Sequence, residues 1–195
     1  MRVIAGTAGG IQLAVPKRGV RPTMDRVKAA IFSSLADKVV GARILDLFAG
    51  SGGLGIEALS RGASSALFVD HDRQAIDVIE RNLAKAKVEG KTLQRDVFDL
   101  LRRTDSLGEF DVIFADPPYE AMDSGERFTD KLLANESLVK LLADDGLFIL
   151  EKRPEEDFPD APLWNLIRQK IYGTTEVLFL SANPQSAIRD PQSNR

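Results

Sequence analysis

Ile44-Leu45-Asp46-Leu47-Phe48-Ala49-Gly50-Ser51-Gly52-Gly53-Leu54-Gly55 is the stretch that decides the fold. Its first five residues are apolar apart from one acid, the length and make-up of a buried strand. The glycines break the run, and residues from about 54 to 61 then read as a helix. Strand, glycine turn and helix in this order open a βαβ unit.

The same rhythm runs outward in both directions. Strands are expected at 44–48, 66–69, 92–95, 110–115 and 147–151, with helices near 73–87, 97–103 and 128–142 between them. The end of the chain differs. Residues 163–172, then Gly173, then 176–180 read as an antiparallel pair. Alternating strands and helices imply a parallel sheet covered on both faces with right-handed crossovers. The expected fold is α/β: a Rossmann-like, doubly wound, seven-stranded, mostly parallel sheet. Upstream, residues 2–15 read as a small hairpin turning at Gly6 to Gly10, followed by a loop from Pro16 to Pro22. Thr23 can cap a helix over 24–38 that sets Val27, Ala30, Ile31 and Leu35 on one face. We read 1–22 as an N-terminal hairpin and basic arm, 23–182 as the main domain, and 183–195 as a polar, disordered tail.

At 195 residues the chain can bury one full core. Charged residues make up 28%, as in soluble globular proteins. Neither a membrane-length apolar run nor a signal-peptide pattern is present, so a cytoplasmic protein is expected. The chain has no cysteine, which excludes disulfides, thiolate metal sites and a cysteine nucleophile. With His71 the one histidine, no metal site is expected. Net charge is −3, unevenly spread. Residues 1–28 hold Arg2, Lys17, Arg18, Arg21, Arg26 and Lys28 against Asp25, a local +5 that leaves −8 on the rest. A basic arm on an acidic body suggests a localised anionic contact; a solvated terminus is the plainer alternative.

Asp46, Asp70, Asp96 and Asp116 recur at spacings of 24, 26 and 20 residues, each at or near a strand end. In a doubly wound sheet those ends line the ligand-binding edge. One such acid is usually a turn residue or a cap; four in step with the βα repeat point to a site. Gly50 to Gly55 matches GxGxxG between strand and helix, and Asp70 lies 20 residues beyond Gly50, where a carboxylate can accept from a ribose diol. The pattern fits a nucleoside-type ligand and does not separate a dinucleotide from S-adenosylmethionine. Asp46, four residues before Gly50, suits a ligand bearing an ammonium and a sulfonium and would repel a pyrophosphate. Asp96 can accept from an adenine amino group while Val97 packs on the ring. His71, after Asp70, could lie over the adenosine, though a lone histidine there is more often incidental.

Asp116-Pro117-Pro118-Tyr119 follows the buried-strand run 110–115. The two prolines lack N–H groups, so their carbonyls only accept hydrogen bonds. Asp116 adds a carboxylate acceptor and Tyr119 a flat ring. Acceptors beside a ring suit an aromatic amino group, held by its two N–H bonds while its lone pair attacks. The plain alternative is a rigid exit turn.

Together these residues resemble a known family. Asp46-Leu47-Phe48-Ala49-Gly50-Ser51-Gly52, Asp70 and Asp116-Pro117-Pro118-Tyr119 resemble class I methyltransferases acting on exocyclic amino nitrogens. Arg2-Val3-Ile4-Ala5-Gly6, the segment from Arg21-Pro22-Thr23 through Asp25-Arg26-Val27-Lys28, and Tyr172-Gly173-Thr174-Thr175 narrow the likeness. They resemble the family that methylates guanine N2 in bacterial 16S ribosomal RNA, over about residues 2–181. Ala8, Gly9 and Ile11 depart from the family's more basic or aromatic hairpin. Ala29 stands where an acid is frequent, and Ser33 where an Asn is frequent.

The resemblance implies S-adenosylmethionine as cofactor, with Asp46, Phe48, Gly50, Gly52, Asp70, Asp96 and Val97 binding it. It implies catalysis at Asp116, Pro117, Pro118 and Tyr119. Arg2, Lys17, Arg18, Arg21, Thr23 and Arg26 would touch small-subunit ribosomal RNA, free or in a 30S subunit, and a monomer is expected. The rival readings are a DNA adenine or cytosine amino-methyltransferase, an NAD-binding dehydrogenase, and a non-enzymatic ribosome-assembly factor.

Overall fold

The computed structural model describes residues 1–15, 24–104, 106–118, 127–156 and 161–184. Its centre is the strand read first, β1 (Arg43–Leu47), flanked in parallel by β2 (Ser65–Asp70) and β4 (Phe110–Ala115). β3 (Lys91–Gln94) lies outside β2, and β5 (Leu142–Lys152) runs parallel beside β4. β7 (Thr175–Ala182) inserts antiparallel between β5 and the edge strand β6 (Trp164–Tyr172). The order is therefore β3-β2-β1-β4-β5-β7-β6, the seven-stranded, mostly parallel sheet expected.

Helices α1 (Met24–Leu35), α2 (Gly53–Ser60) and α3 (Arg73–Ala86) cover one face. Ile31, Phe32, Ile56 and Ile79 there meet Ile44, Phe114 and Ile149 of the sheet. The other face carries α4 (Val97–Leu101), α5 (Phe128–Leu133) and α6 (Glu136–Lys140), packed on Leu45, Leu47, Ile113 and Leu150. The side-chain alternation of strands fixes which residue faces which layer. Asp46 shares the first face with Ile44, Asp116 with Phe114, and Glu151 with Ile149. Acids thus continue apolar columns at the carboxyl ends of three adjacent strands.

Three local expectations change. The helix expected over 128–142 is two helices, because Asn135 leaves helical geometry and its side chain accepts the Leu138 N–H at 3.0 Å, capping α6. The first helix ends at Leu35 and tightens into a 3-10 turn, Ala36–Val39, with Ala36 at φ 47°. The hairpin at 2–15 does double back, with Val3 N–H donating to the Ile11 carbonyl at 2.9 Å, but it forms an isolated bridge, Arg2 to Gln12, and not a ladder.

The body holds that segment instead. Glu57 on α2 accepts the Ile4 and Ala5 N–H groups at 2.7 and 3.0 Å. Ser60 Oγ accepts from Ala8 N–H at 2.9 Å and donates to the Ala5 carbonyl at 2.6 Å. Asn82 on α3 pairs with both backbone groups of Ala14 and also donates to the Ser51 carbonyl at 2.9 Å. Asn82 so ties the N-terminal segment to the glycine turn.

Candidate active site

The glycine turn takes its shape from three left-handed residues, Phe48, Gly50 and Gly52, at φ 56°, 55° and 74°. Glycine adopts this conformation freely; phenylalanine does so at a cost, and such strain concentrates at functional sites. The turn is pinned to β2. Ala49 N–H donates to the Val69 carbonyl at 3.0 Å, and Gly50 N–H to Asp70 Oδ2 at 2.9 Å. Asp70 Oδ1 accepts the Asp72 N–H at 2.9 Å. Asp70 therefore braces the turn with both oxygens, each of which keeps a further lone pair for a ligand. His71 is exposed, 3.5 Å from Asp70.

Gly55 is needed for close approach. A Cβ there would stand 2.3 Å from the Phe68 ring and 3.1 Å from Asp46 Oδ2. Its N–H donates to Asp46 Oδ2 at 2.9 Å, so helix and acid are seated together. Gly55→Ala is expected to destabilise the protein by about 1–3 kcal/mol, the usual cost of overpacking. Urea denaturation checks this, and an unchanged midpoint would contradict it.

A cleft opens over this turn. Asp46, Phe48, Gly50 and Ser51 line one side and Asp116 and Glu151 the other, with Met1, Val27 and Lys28 beside them. Burial pushes the Asp46 carboxyl up to about 8; the Gly55 N–H opposes this, and the Asp116 and Asp70 carboxylates add to it. Burial likewise raises Glu151 well above the usual range, aided by Asp116 and Asp46. Lys28 is pulled below its ordinary value by burial, against the pull of Glu57. The cleft thus gathers three carboxyl groups that are costly to charge together. A cationic ligand would relieve that cost. S-adenosylmethionine fits this donor set, with acids for its sulfonium and ammonium and an open helix start beside a glycine turn.

The sequence-predicted residues are only partly brought together. Asp46, Phe48, Gly50 and Asp116 share the cleft, and Gly52 and Asp70 shape its wall. Asp96 sits past β3 as the N-cap of α4, its Oδ1 accepting from Phe98 and Asp99 N–H at 2.8 and 3.0 Å. Val97 is 2% exposed inside the core, so in this arrangement it presents no face to an adenine ring. Pro117 is buried and Pro118 exposed. Arg2 and Arg26 are exposed, with Arg2 Nε 3.9 Å from Asp25. Tyr119, Lys17, Arg18, Arg21, Thr23 and the tail expected over 185–195 lie outside the described residues.

The family model for conserved hypothetical protein 95 matches residues 1–181. The chain belongs to that family. It is 36% identical over 176 residues to the ribosomal RNA small subunit methyltransferase D of Escherichia coli K12, spanning 89% of this chain and 85% of that one. A solved structure described as a candidate methyltransferase of Escherichia coli superposes with TM-score 0.76 at 33% identity, over 94% of this chain and 98% of that one. A more distant candidate methyltransferase, solved in complex with SAH, shares the fold at TM-score 0.64 and 16% identity, over 83% of this chain and 50% of its own. The fold is thus the class I methyltransferase arrangement. Among the described residues no helix is long and apolar enough to cross a membrane.

Sequence reasoning missed Glu151 and Lys28 as cleft residues. Glu151 ended an expected strand, as the four aspartates do, so its signal was present. Lys28 was counted as part of the basic arm. It is instead 3% exposed, donating to the Arg2 carbonyl at 2.6 Å and lying 3.3 Å from Glu57.

Proposed function

We propose that this chain is an S-adenosylmethionine-dependent methyltransferase that modifies the exocyclic N2 of a guanine in small-subunit ribosomal RNA. The observation that carries the reading is the placing of Asp116, as it leaves β4, in one cleft with Asp46 and the glycine turn. An acceptor for an amino group stands beside a site suited to a cationic nucleoside. The description of the Escherichia coli relative supports both methyl transfer and the RNA class.

Asp46, Phe48, Gly50, Gly52 and Asp70 would hold the cofactor, with Asp96 toward its adenine end. Bound there, S-adenosylmethionine supplies an electrophilic methyl group. The chain's own work is to aim the amine. Guanine N2 is a weak nucleophile because its lone pair is delocalised into the ring. The Asp116 carboxylate and the Pro117 carbonyl accept its two N–H bonds, which orients the nitrogen and favours its pyramidal form. Tyr119 stacks on a base turned out of its helix. Positive charge that develops on N2 is stabilised by Asp116, and the proton, acidic once nitrogen is alkylated, leaves without a strong base. Arg2, Lys17, Arg18, Arg21, Thr23 and Arg26 would meet RNA phosphates.

Transfer of labelled methyl to 30S subunits and to naked 16S RNA, followed by nucleoside mass spectrometry, tests the reading. N2-methylguanosine is the expected product. A methylated adenine or cytosine, or transfer to DNA alone, would refute it.

The raised Asp46 carboxyl makes a second prediction. Protonated below about 8, it must ionise to meet a cation, so binding releases a proton. Cofactor affinity should rise between pH 6 and 8, by up to about tenfold per unit. Calorimetric titrations at pH 7 in buffers of different ionisation enthalpy should show proton release, and Asp46→Asn should abolish it. Affinity independent of pH over that window would contradict the assignment.

A further inference from the structure

The Glu151 side chain makes no hydrogen bond or ion pair among the described residues, although it is half-buried in the cleft. The other strand-end acids that line or brace the cleft have partners within the fold. Asp46 accepts from Gly55 and Asp70 from Gly50 and Asp72. The Glu151 carboxyl oxygens open to the cleft, where a ligand can supply the partner that the fold does not.

Position says which ligand. The cofactor-holding acids lie on β1 and β2, on one side of β4. Glu151 lies on β5, on the other side. Ala115 pairs with Leu150, so Asp116 and Glu151 each follow one residue beyond a paired position. Neighbouring strands stand about 4.8 Å apart. Both side chains continue the same face of the sheet, behind Phe114 and Ile149. They therefore present two acceptors side by side toward whatever enters next to the cofactor.

Resting on the guanine-N2 reading above, we infer that Glu151 is a specificity-determining residue that accepts the N1–H of the target guanine while Asp116 accepts an N2–H. Guanine is the common base that shows two neighbouring donors, N1–H and N2–H, on one edge. Adenine N1 and cytosine N3 are lone-pair acceptors and would face a carboxylate with repulsion. A site built to hydrogen-bond a substrate N–H rejects an analogue lacking it far more strongly than shape alone allows.

The test replaces the mapped target guanine in ligated ribosomal RNA by 2-aminopurine, which keeps the 2-amino group but carries an acceptor at N1. The wild-type protein should prefer guanine by roughly 100-fold or more in kcat/KM. Glu151→Gln can turn its amide to either base. It should lose roughly 10–100-fold on guanine and hold or gain on 2-aminopurine, so that the ratio collapses. Its affinity for S-adenosylmethionine and its denaturation midpoint should not fall. An unchanged ratio overturns the assignment. So does an equal loss on both substrates with weakened cofactor binding, which would place Glu151 on the cofactor. If the wild-type product on guanine RNA is not N2-methylguanosine, the functional reading fails and this inference with it. If that product forms and the ratio does not move, only the role of Glu151 is refuted.

Discussion

Asp116→Ala loses methyl transfer by roughly 10²–10⁴-fold, the range for removing one group that positions or stabilises the reacting atoms. The loss should fall on kcat, because Asp116 lies on the β4 side of the cleft and the proposed cofactor contacts lie on β1 and β2. Cofactor affinity should hold or improve slightly. The Asp116 carboxylate is one of the charges that keep the Asp46 carboxyl up near 8, and removing it lets Asp46 ionise more readily. Asp116→Asn keeps one acceptor oxygen and should fall between alanine and wild type. Single-turnover transfer with saturating cofactor gives the rate, and calorimetry gives the affinity. Transfer by the alanine variant within tenfold of wild type would sink the assignment of Asp116. A large loss of cofactor affinity would move Asp116 from the amine to the cofactor.

The opening stretch was legible because all its signals are local. An apolar run of strand length, glycines at 50, 52, 53 and 55, and an apolar helix pattern follow one another without a gap. The same holds for β2, β4 and the terminal antiparallel pair. Reading failed where a signal was weak or distant. Asn135 is only mildly unfavourable inside a helix, so periodicity carried the expected helix through it, and the cap that splits α5 from α6 won. Asp96 was read as an adenine contact from its place in the acid series, and its Oδ1 also caps α4, a second role that the series did not show. The N-terminal segment was read as a hairpin from its glycine turn and as a basic arm from its charges. What holds it are its backbone N–H groups, accepted by Glu57, Ser60 and Asn82 from other elements, and no pattern within the segment shows this. The acid series stopped at aspartates and so passed over Glu151, which lies one residue before the end of β5.

Glu57→Ala is expected to be the most damaging single change to stability. The carboxylate is 0% exposed, and four groups converge on it. Oε2 takes the Ile4 N–H at 2.7 Å and faces Lys28 Nζ at 3.3 Å. Oε1 takes the Ala5 N–H at 3.0 Å and Arg61 Nε at 2.7 Å. Removing one partner of a buried ion pair strands the other, and here two backbone donors are stranded as well. The expected loss is about 3–5 kcal/mol, or on the order of 10 °C in melting temperature for a chain of this size. Lys28→Met with Glu57→Leu removes both ions together and should cost less than Glu57→Ala alone, a non-additivity that a double-mutant cycle measures. The Ile4 and Ala5 N–H groups and the Arg61 guanidinium would still lack their acceptor, so some loss should remain. Damage should reach the cleft too, because Lys28 and Met1 line it and the segment that Glu57 anchors carries Met1. Cofactor affinity should therefore weaken in Glu57→Ala at temperatures where the protein is still folded. A Glu57→Ala protein with an unchanged denaturation midpoint would show that the segment is held elsewhere, by Ser60 and Asn82.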